Sequence, residues 1–210
     1  MRAMPISLDD PLLLRIVDDL AERGWSQQNL FLSQALTLEL AAECRKRSRA
    51  GELAPAAVGR GVGQEVREGI RGDRIQWIEP AENAPCDEYL QIMDSLREAL
   101  NRSLFMGLEE FECHFTLYPP GGFYRRHVDR FRDDDSRMVS AVLYLNTAWV
   151  PGDGGELRLY LKGDVAHDVA PIGGSLVVFL SGDMPHEVLP AERDRLSLTG
   201  WFRRRPNEPF

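Results

Sequence analysis

Cysteine is scarce. Cys44, Cys86 and Cys113 are the three in 210 residues. Odd in number and far apart, they make neither a disulfide framework nor a Cys-x-x-Cys metal clip. Reduced buried thiols in a cytoplasmic protein fit that usage better. Long apolar runs are missing too. No stretch approaches the roughly 18 residues needed to span a bilayer, and Leu12-Leu13-Leu14 is broken at once by Arg15 and Asp18-Asp19. No membrane association and no signal peptide are therefore expected. Basic charge is in deficit, with 25 Lys and Arg against 33 Asp and Glu and a formal net charge of −8. A duplex-DNA binder needs a basic face, so nucleic acid is not an expected partner. Repeats and low-complexity tracts are absent. What remains, 43% hydrophobic and 28% charged residues, is ordinary for a globular chain. Residues 1–210 are expected to form a single domain.

The chain changes character midway. Residues 8–105 read mainly as helices. Leu12, Leu13, Ile16, Val17 and Leu20 recur at helical spacing until Gly24. Ser33 is a candidate cap for a second helix burying Leu36, Leu40, Ala41 and Cys44 and ending at Gly51. Tyr89, Ile92, Met93, Leu96, Leu100 and Leu104 form the clearest amphipathic stripe, with Asp87 as its candidate cap. Between these helices a Gly- and Pro-rich connection, residues 52–85, carries Arg71-Gly72-Asp73-Arg74 and Ile75-Gln76-Trp77-Ile78. Connections this long are usually functional or mobile. Residues 58–74, with five glycines among charged residues, are expected to act as a lid.

From residue 111 the pattern turns to strands. The expected set is 111–118, 139–146, 156–161, 165–169, 175–180 and 196–202, separated by Gly, Pro and Asp clusters. Short strands at near-regular spacing predict an α+β fold, a jelly roll over residues 106–205 with the N-terminal helices packed on one sheet. No βα alternation is present, which argues against a Rossmann or α/β-barrel fold.

Histidine is scarce as well, four in all. His127 and Asp129 form a His-x-Asp pair, and residues i and i+2 of an extended segment face one side, so both could reach one metal ion. His186, in Asp183-Met184-Pro185-His186, sits at an expected strand start after an apolar run. Two imidazoles and one carboxylate are the facial triad of non-haem Fe(II) oxygenases. One carboxylate leaves an Fe(II) site at net +1, and three ligands leave three positions open. Arg195 opens the last strand nine residues on. A permanent cation deep in a barrel needs an anion. A dicarboxylate shaped like 2-oxoglutarate could chelate iron at one end and meet Arg195 at the other.

The stretch from Tyr118 to Trp201 resembles the 2-oxoglutarate- and Fe(II)-dependent dioxygenases. Within them it is similar to the prolyl 4-hydroxylases related to the animal hypoxia-inducible-factor hydroxylases, and it looks like a bacterial member. The motifs that carry the likeness are Tyr124-Arg125-Arg126-His127-Val128-Asp129, Tyr144-Leu145-Asn146, Gly154-Gly155-Glu156-Leu157 and Pro185-His186-Glu187-Val188 followed by Arg195. The likeness extends upstream to Arg71-Gly72-Asp73-Arg74. The resemblance implies iron ligation by His127, Asp129 and His186. It implies a 2-oxoglutarate site made by Arg195 and Tyr144, with Tyr118, Thr199 and Leu157 beside it. Asp73, Tyr124, Arg137, Trp201 and Arg71 match positions around a prolyl substrate pocket. The implied activity is 4-hydroxylation of a proline in an exposed, flexible loop of a protein, using O₂ and releasing succinate and CO₂. Ascorbate is a candidate reductant, and a monomer is expected.

Each residue also has a plainer reading. His127 and Asp129 alone would be a surface pair, Arg195 a surface ion-pair partner, Tyr144 core, and Arg71 and Asp73 a solvated turn. His114 and His167 are read as structural or exposed. Asp133-Asp134-Asp135 reads as a solvated loop and Arg203-Arg204-Arg205 as a solvated tail. Two other functions stay open: an oxygenase acting on a small molecule, and a non-catalytic metal-binding jelly-roll module.

Overall fold

The structure, a computed structural model, describes residues 7–57, 69–130, 134–163 and 165–205. Three helices precede most of the sheet. α1 (Pro11–Arg23) is capped by Asp10, whose side chain accepts from the Leu12 N–H, and it ends at Gly24 in the left-handed region. α2 (Gln34–Arg49) is capped by Ser33 as expected. α3 (Ala84–Leu104) starts earlier than its apolar stripe suggests. Its cap is Asn83, which accepts from the Cys86 N–H at 3.0 Å, and Pro85 occupies the first turn. Asp87 is not the cap. It lies inside that first turn and accepts from the Ala81 N–H.

Eleven strands follow the chain among the described residues: β1 (Trp25–Gln28), β2 (Ala54–Pro55), β3 (Arg74–Trp77), β4 (Glu110–Tyr118), β5 (Tyr124–His127), β6 (Arg137–Tyr144), β7 (Leu157–Leu161), β8 (Val165–Val169), β9 (Leu176–Leu180), β10 (His186–Val188) and β11 (Arg195–Arg203). They form two antiparallel sheets. The larger runs β1-β9-β6-β11-β4-β3-β2 and the smaller β5-β10-β7-β8. This is the expected jelly roll.

Side-chain alternation sorts the larger sheet into two faces. Cys113, Phe115 and Leu117 of β4, Val139, Ala141 and Leu143 of β6, and Leu196, Leu198 and Phe202 of β11 face the helices and join one apolar core. Val142 and Tyr144 of β6, Val177 and Phe179 of β9, and Tyr118 of β4 face the smaller sheet and pack with Leu157, Leu159 and Val188 in a second core. The polar members of the inward face, including His114, Thr116, Arg195 and Thr199, are therefore directed between the sheets, where the register sets His114 opposite Thr199 and Arg195 opposite Tyr118.

Three local readings change. The 52–85 connection contains two strands that extend the larger sheet: β3 pairs on β4, and β2 pairs on β3. Of the expected lid, residues 58–68 lie outside the described residues. Within 69–74, the Gly72 N–H donates to the Phe123 carbonyl and the Arg125 N–H to the Ile70 carbonyl, so this segment pairs along the edge of β5. Arg203-Arg204-Arg205 is not a free tail: each arginine is ion-paired, while Arg205 stays as exposed as expected. Arg203 meets Glu110 and Glu112 at 3.0 Å, Arg204 meets Asp135, and Arg205 meets Glu109. Glu109, Glu110, Glu112 and Asp135 supply the carboxylates that hold this segment.

Candidate metal and cosubstrate site

The triad is assembled by two short strands and the turn that follows one of them. β5 and β10 pair antiparallel, and His127 and His186 are direct cross-strand partners. Asp129 lies two residues beyond His127, where its own N–H donates to the Ser181 carbonyl. One ligand atom from each of His127, Asp129 and His186 falls within a group 4.8 Å across. The Asp129 Oδ1 lies 3.5 Å from His127 Nε2 and 3.7 Å from His186 Nε2.

The surroundings decide which atoms remain for a metal. His127 Nδ1 lies 2.7 Å from the Arg125 carbonyl and His186 Nδ1 lies 3.0 Å from the Met184 carbonyl. A carbonyl only accepts, so each Nδ1 carries the proton and each Nε2 presents a lone pair toward Asp129. Ser140 donates to Asp129 Oδ2 at 2.6 Å and is itself within 2.9 Å of Ser181, leaving Oδ1 for ligation. The Tyr124 ring stacks on His127 with centroids 3.5 Å apart, fixing the ring plane. Burial lowers the His186 pKa against the opposing pull of Asp129, which favours the neutral, ligating imidazole. Burial would raise the Asp129 carboxyl. Positive charge on the His186 and His127 imidazoles, when they are protonated, and the Ser140 hydrogen bond outweigh it and hold Asp129 well below the usual carboxylate range, so the carboxylate stays ionised.

Further between the sheets, Arg195 is 1% exposed. Its Nε donates to the Gly155 carbonyl at 2.7 Å, and its second terminal nitrogen has no partner among the described residues. The Tyr144 hydroxyl is likewise buried and unpartnered, and the rings of Tyr118 and Tyr144 each lie 5.2 Å from the guanidinium carbon. Burial pushes the Tyr144 phenol up to about 12 despite the Arg195 charge, so it stays a donor. A buried cation and a buried phenol with donors to spare are costly unless an anion meets them. The donor set fits Fe(II) at the triad and a carboxylate at Arg195 and Tyr144.

The sequence-predicted residues converge on one cavity of about 290 Å³. Tyr118, Leu157, Thr199 and Arg195 line it with the triad; Tyr144 is not among the lining residues but adjoins Arg195, its ring 5.2 Å from the guanidinium carbon. Tyr124, Trp201, Arg137, Arg71 and Asp73 line it as well. Arg71 and Asp73 form a two-pronged ion pair at 2.7 and 2.5 Å, with the Asp73 carboxylate wholly buried and the Arg71 guanidinium 4.4 Å from the Tyr124 ring. They are not a solvated turn. Arg137 is held by Glu112 at 2.9 Å and stacks 3.6 Å over Trp201.

Sequence reasoning missed several supporting residues. Ser140 and Ser181 looked like ordinary strand and turn residues, and only the fold brings them to Asp129. Asn146 accepts from the Leu196 N–H and donates to the Leu196 and Pro171 carbonyls, fixing the start of the strand that carries Arg195. Gly155 has a φ of +71°, and a Cβ there would lie 3.1 Å from Arg195 Cδ. The Gly154-Gly155 motif was legible, but its reason, close approach of backbone to arginine, was not. His114, read as structural or exposed, lines the cavity.

A jelly roll that holds a His-x-Asp…His triad over a buried, half-satisfied arginine defines a class of protein, the Fe(II)- and 2-oxoglutarate-dependent oxygenases. Comparison with known proteins agrees. The 2OG-Fe(II) oxygenase superfamily model matches residues 113–203. The structure of a Pseudomonas putida prolyl-4-hydroxylase is 64% identical, covering 92% of this chain and 99% of that chain with a TM-score of 0.86. A Trichoplax adhaerens prolyl hydroxylase, solved in complex with a hypoxia inducible factor oxygen degradation domain peptide fragment, is 30% identical, covering 91% of this chain and 89% of that one with a TM-score of 0.81. The Egl nine homolog 1 of Rattus norvegicus is 34% identical over 143 residues, which are 63% of this chain and 41% of that protein. The chain thus spans about two fifths of the length of that relative. The chain belongs to the 2OG-Fe(II) oxygenase superfamily, within its branch of prolyl hydroxylases related to the hypoxia-inducible-factor enzymes.

Proposed function

We propose that this protein hydroxylates a prolyl residue within a protein or peptide at C4, consuming O₂ and 2-oxoglutarate and releasing succinate and CO₂. The observation that carries the reading is that the triad and a buried Arg195 with an unpartnered terminal nitrogen line one cavity, with the unpartnered Tyr144 phenol next to that guanidinium, its ring 5.2 Å away. The likeness to the bacterial prolyl-4-hydroxylase and to the peptide-bound relative supports the choice of substrate.

His127, Asp129 and His186 would hold Fe(II), and Arg195 with Tyr144 would hold the distal carboxylate of 2-oxoglutarate. Together Fe(II) and 2-oxoglutarate supply the O₂ activation that oxidises a C–H bond. This chain's residues bind, orient and exclude water. Ser140 and the two backbone carbonyls keep the ligand atoms aimed at one point. Tyr118, Thr199 and Leu157 border the cosubstrate. Tyr124 and Trp201 give an apolar, ring-sized wall beside the triad, which suits a pyrrolidine. Arg71 and Asp73, and Arg137 with Glu112, are neutralised as pairs and would position the flanking peptide. The reading extends to a monomer in the cytoplasm with ascorbate as reductant. Its support for that setting is that all three cysteines are unpaired and buried. No helix among the described residues is long and apolar enough to cross a membrane.

The test is succinate release with Fe(II), 2-oxoglutarate and a panel of proline-containing peptides, with free proline as control. Peptides should stimulate succinate formation and acquire hydroxyproline. Stimulation by free proline or another small molecule, with none by any peptide or cell-extract protein, would overturn the assignment.

A further inference from the structure

His114 is the histidine that the metal site does not use and the cavity does. Its register fixes where it points. It is the cross-strand partner of Thr199 on β11, and Trp201 lies two residues beyond Thr199 on the same face. Trp201 in turn is the partner of Ser140, which holds Asp129. Trp201 therefore stands level with the metal ligands, and His114 lies one inward-facing step along, its ring centroid 5.5 Å from that of Trp201. Trp77 closes the other side, edge-on at 4.9 Å.

The hydrogen bonds of His114 fix its polarity. Nδ1 lies 3.2 Å from the Phe115 carbonyl and 3.0 Å from Thr116 Oγ1. A carbonyl cannot donate, so the ring proton is on Nδ1, and the Thr116 hydroxyl donates its own hydrogen bond to Thr199 Oγ1 at 3.3 Å. Nε2 is then a lone pair on the cavity wall, without a protein partner among the described residues. Burial depresses the ring's pKa to about 4, so it stays an acceptor at neutral pH. Beside it, the Trp201 Nε1–H is a buried donor with no partner.

An acceptor has nothing to offer 2-oxoglutarate when that molecule is fully ionised, because every heteroatom is then itself an acceptor. A peptide is different, since each peptide group carries one donor and one acceptor. Proline has no N–H of its own. The nearest N–H along the chain belongs to the residue that follows it.

We propose that His114 is a specificity-determining residue whose Nε2 accepts a hydrogen bond from the backbone N–H of the residue following the target proline, with the Trp201 indole N–H available to a neighbouring carbonyl. This rests on the prolyl-hydroxylase reading and adds to it a rule about sequence. A target proline followed by another proline, or one at the C-terminus, lacks the donor and is a poor substrate.

The experiment compares two forms of the peptide that yields hydroxyproline in the assay above. They are the parent, and an analogue in which an ester replaces the amide after the proline, removing the N–H with little change in shape. The wild type should lose roughly tenfold in kcat/KM on the ester, the scale of a buried hydrogen bond left unmade. His114→Leu should turn over both forms equally slowly while its affinity for 2-oxoglutarate is unchanged. His114→Gln, which keeps an acceptor, should restore part of the preference. Equal rates on amide and ester with wild-type enzyme, or an undiminished preference in His114→Leu, would overturn the proposal and leave prolyl hydroxylation standing. Failure of every peptide would instead count against the underlying reading. A ¹⁵N spectrum of the histidine rings provides a check that needs no substrate. His114 Nε2 should resonate as an unprotonated nitrogen, and a protonated Nε2 at pH 7 would overturn the assignment of roles.

Discussion

At the scale of single residues, the site is built from groups whose ordinary partners have been withheld. Arg195 satisfies Gly155 and keeps a terminal nitrogen unpaired in the protein interior. Removing one half of a buried charged pair costs about 3–5 kcal/mol. Arg195→Met should therefore weaken 2-oxoglutarate binding by roughly 100-fold or more, measured by calorimetry with a redox-inert divalent ion at the triad. Because the unpaired cation itself is costly to bury, the same variant should not lower the thermal midpoint of the cosubstrate-free protein. His114 makes a second prediction. Its folded pKa of about 4 lies below the ordinary 6.5, so the unfolded chain binds the proton more readily. The penalty is absent above pH 6.5 and grows as pH falls toward 4. It should amount to about 3 kcal/mol at its limit. Denaturant melts of His114→Gln at pH 7 and pH 4.5 should show a shallower loss of stability than those of wild type. Parallel losses would mean that another group carries the acid sensitivity.

At the scale of elements, strand pairing carries the precision. His127 and His186 meet because β5 and β10 are in register, and Arg195 meets Tyr118 because β4 and β11 are. Two substitutions probe this level. Asn83→Ala removes the cap of α3 and should cost about 1 kcal/mol, whereas the same change at Asp87 should cost less, as read by chemical denaturation. Gly155→Ala puts a side chain at a positive φ against Ala191 and Arg195, at 2.9 and 3.1 Å. It should cost about 1–3 kcal/mol of stability and reduce 2-oxoglutarate affinity, although residue 155 contributes no side chain to that ligand. The nine-residue β4 was legible because its side chains alternate, and the five-residue β8 and β9 because turn residues bound them, β9 as a continuous apolar run. β4, β8 and β9 fall within a residue of the expected bounds. The sequence hid β1, β2 and β5, which have two to four residues and too few apolar positions to set a period. The triad and Arg195 could be read because histidine is rare here and each one could be weighed. Ser140, Asn146 and the orientation of His114 could not, since their roles exist only across strands that are distant in the chain.

For the whole molecule, the two apolar cores divide the work. One fastens helices to the outer face of the larger sheet, and the other joins the sheets and surrounds the site. The second core tolerates a cavity and several unpartnered donors, so bound ligands should contribute measurably to stability. At concentrations near 100 times the Kd, a ligand adds about 2.7 kcal/mol. For a chain of this size that raises the thermal midpoint by roughly 5–10 °C. Metal-dependent stabilisation should disappear in His127→Ala, Asp129→Ala and His186→Ala, and an undiminished shift in all three would place the metal elsewhere. The central claim, that this cavity directs an oxygen atom from O₂ onto a peptidyl proline, is tested most directly by turnover under ¹⁸O₂ followed by mass spectrometry of the peptide. The account predicts one ¹⁸O on a proline of the peptide, one ¹⁸O in succinate, and neither in Asp129→Ala. An unmodified peptide, or oxygen confined to free proline or another small molecule, would contradict it.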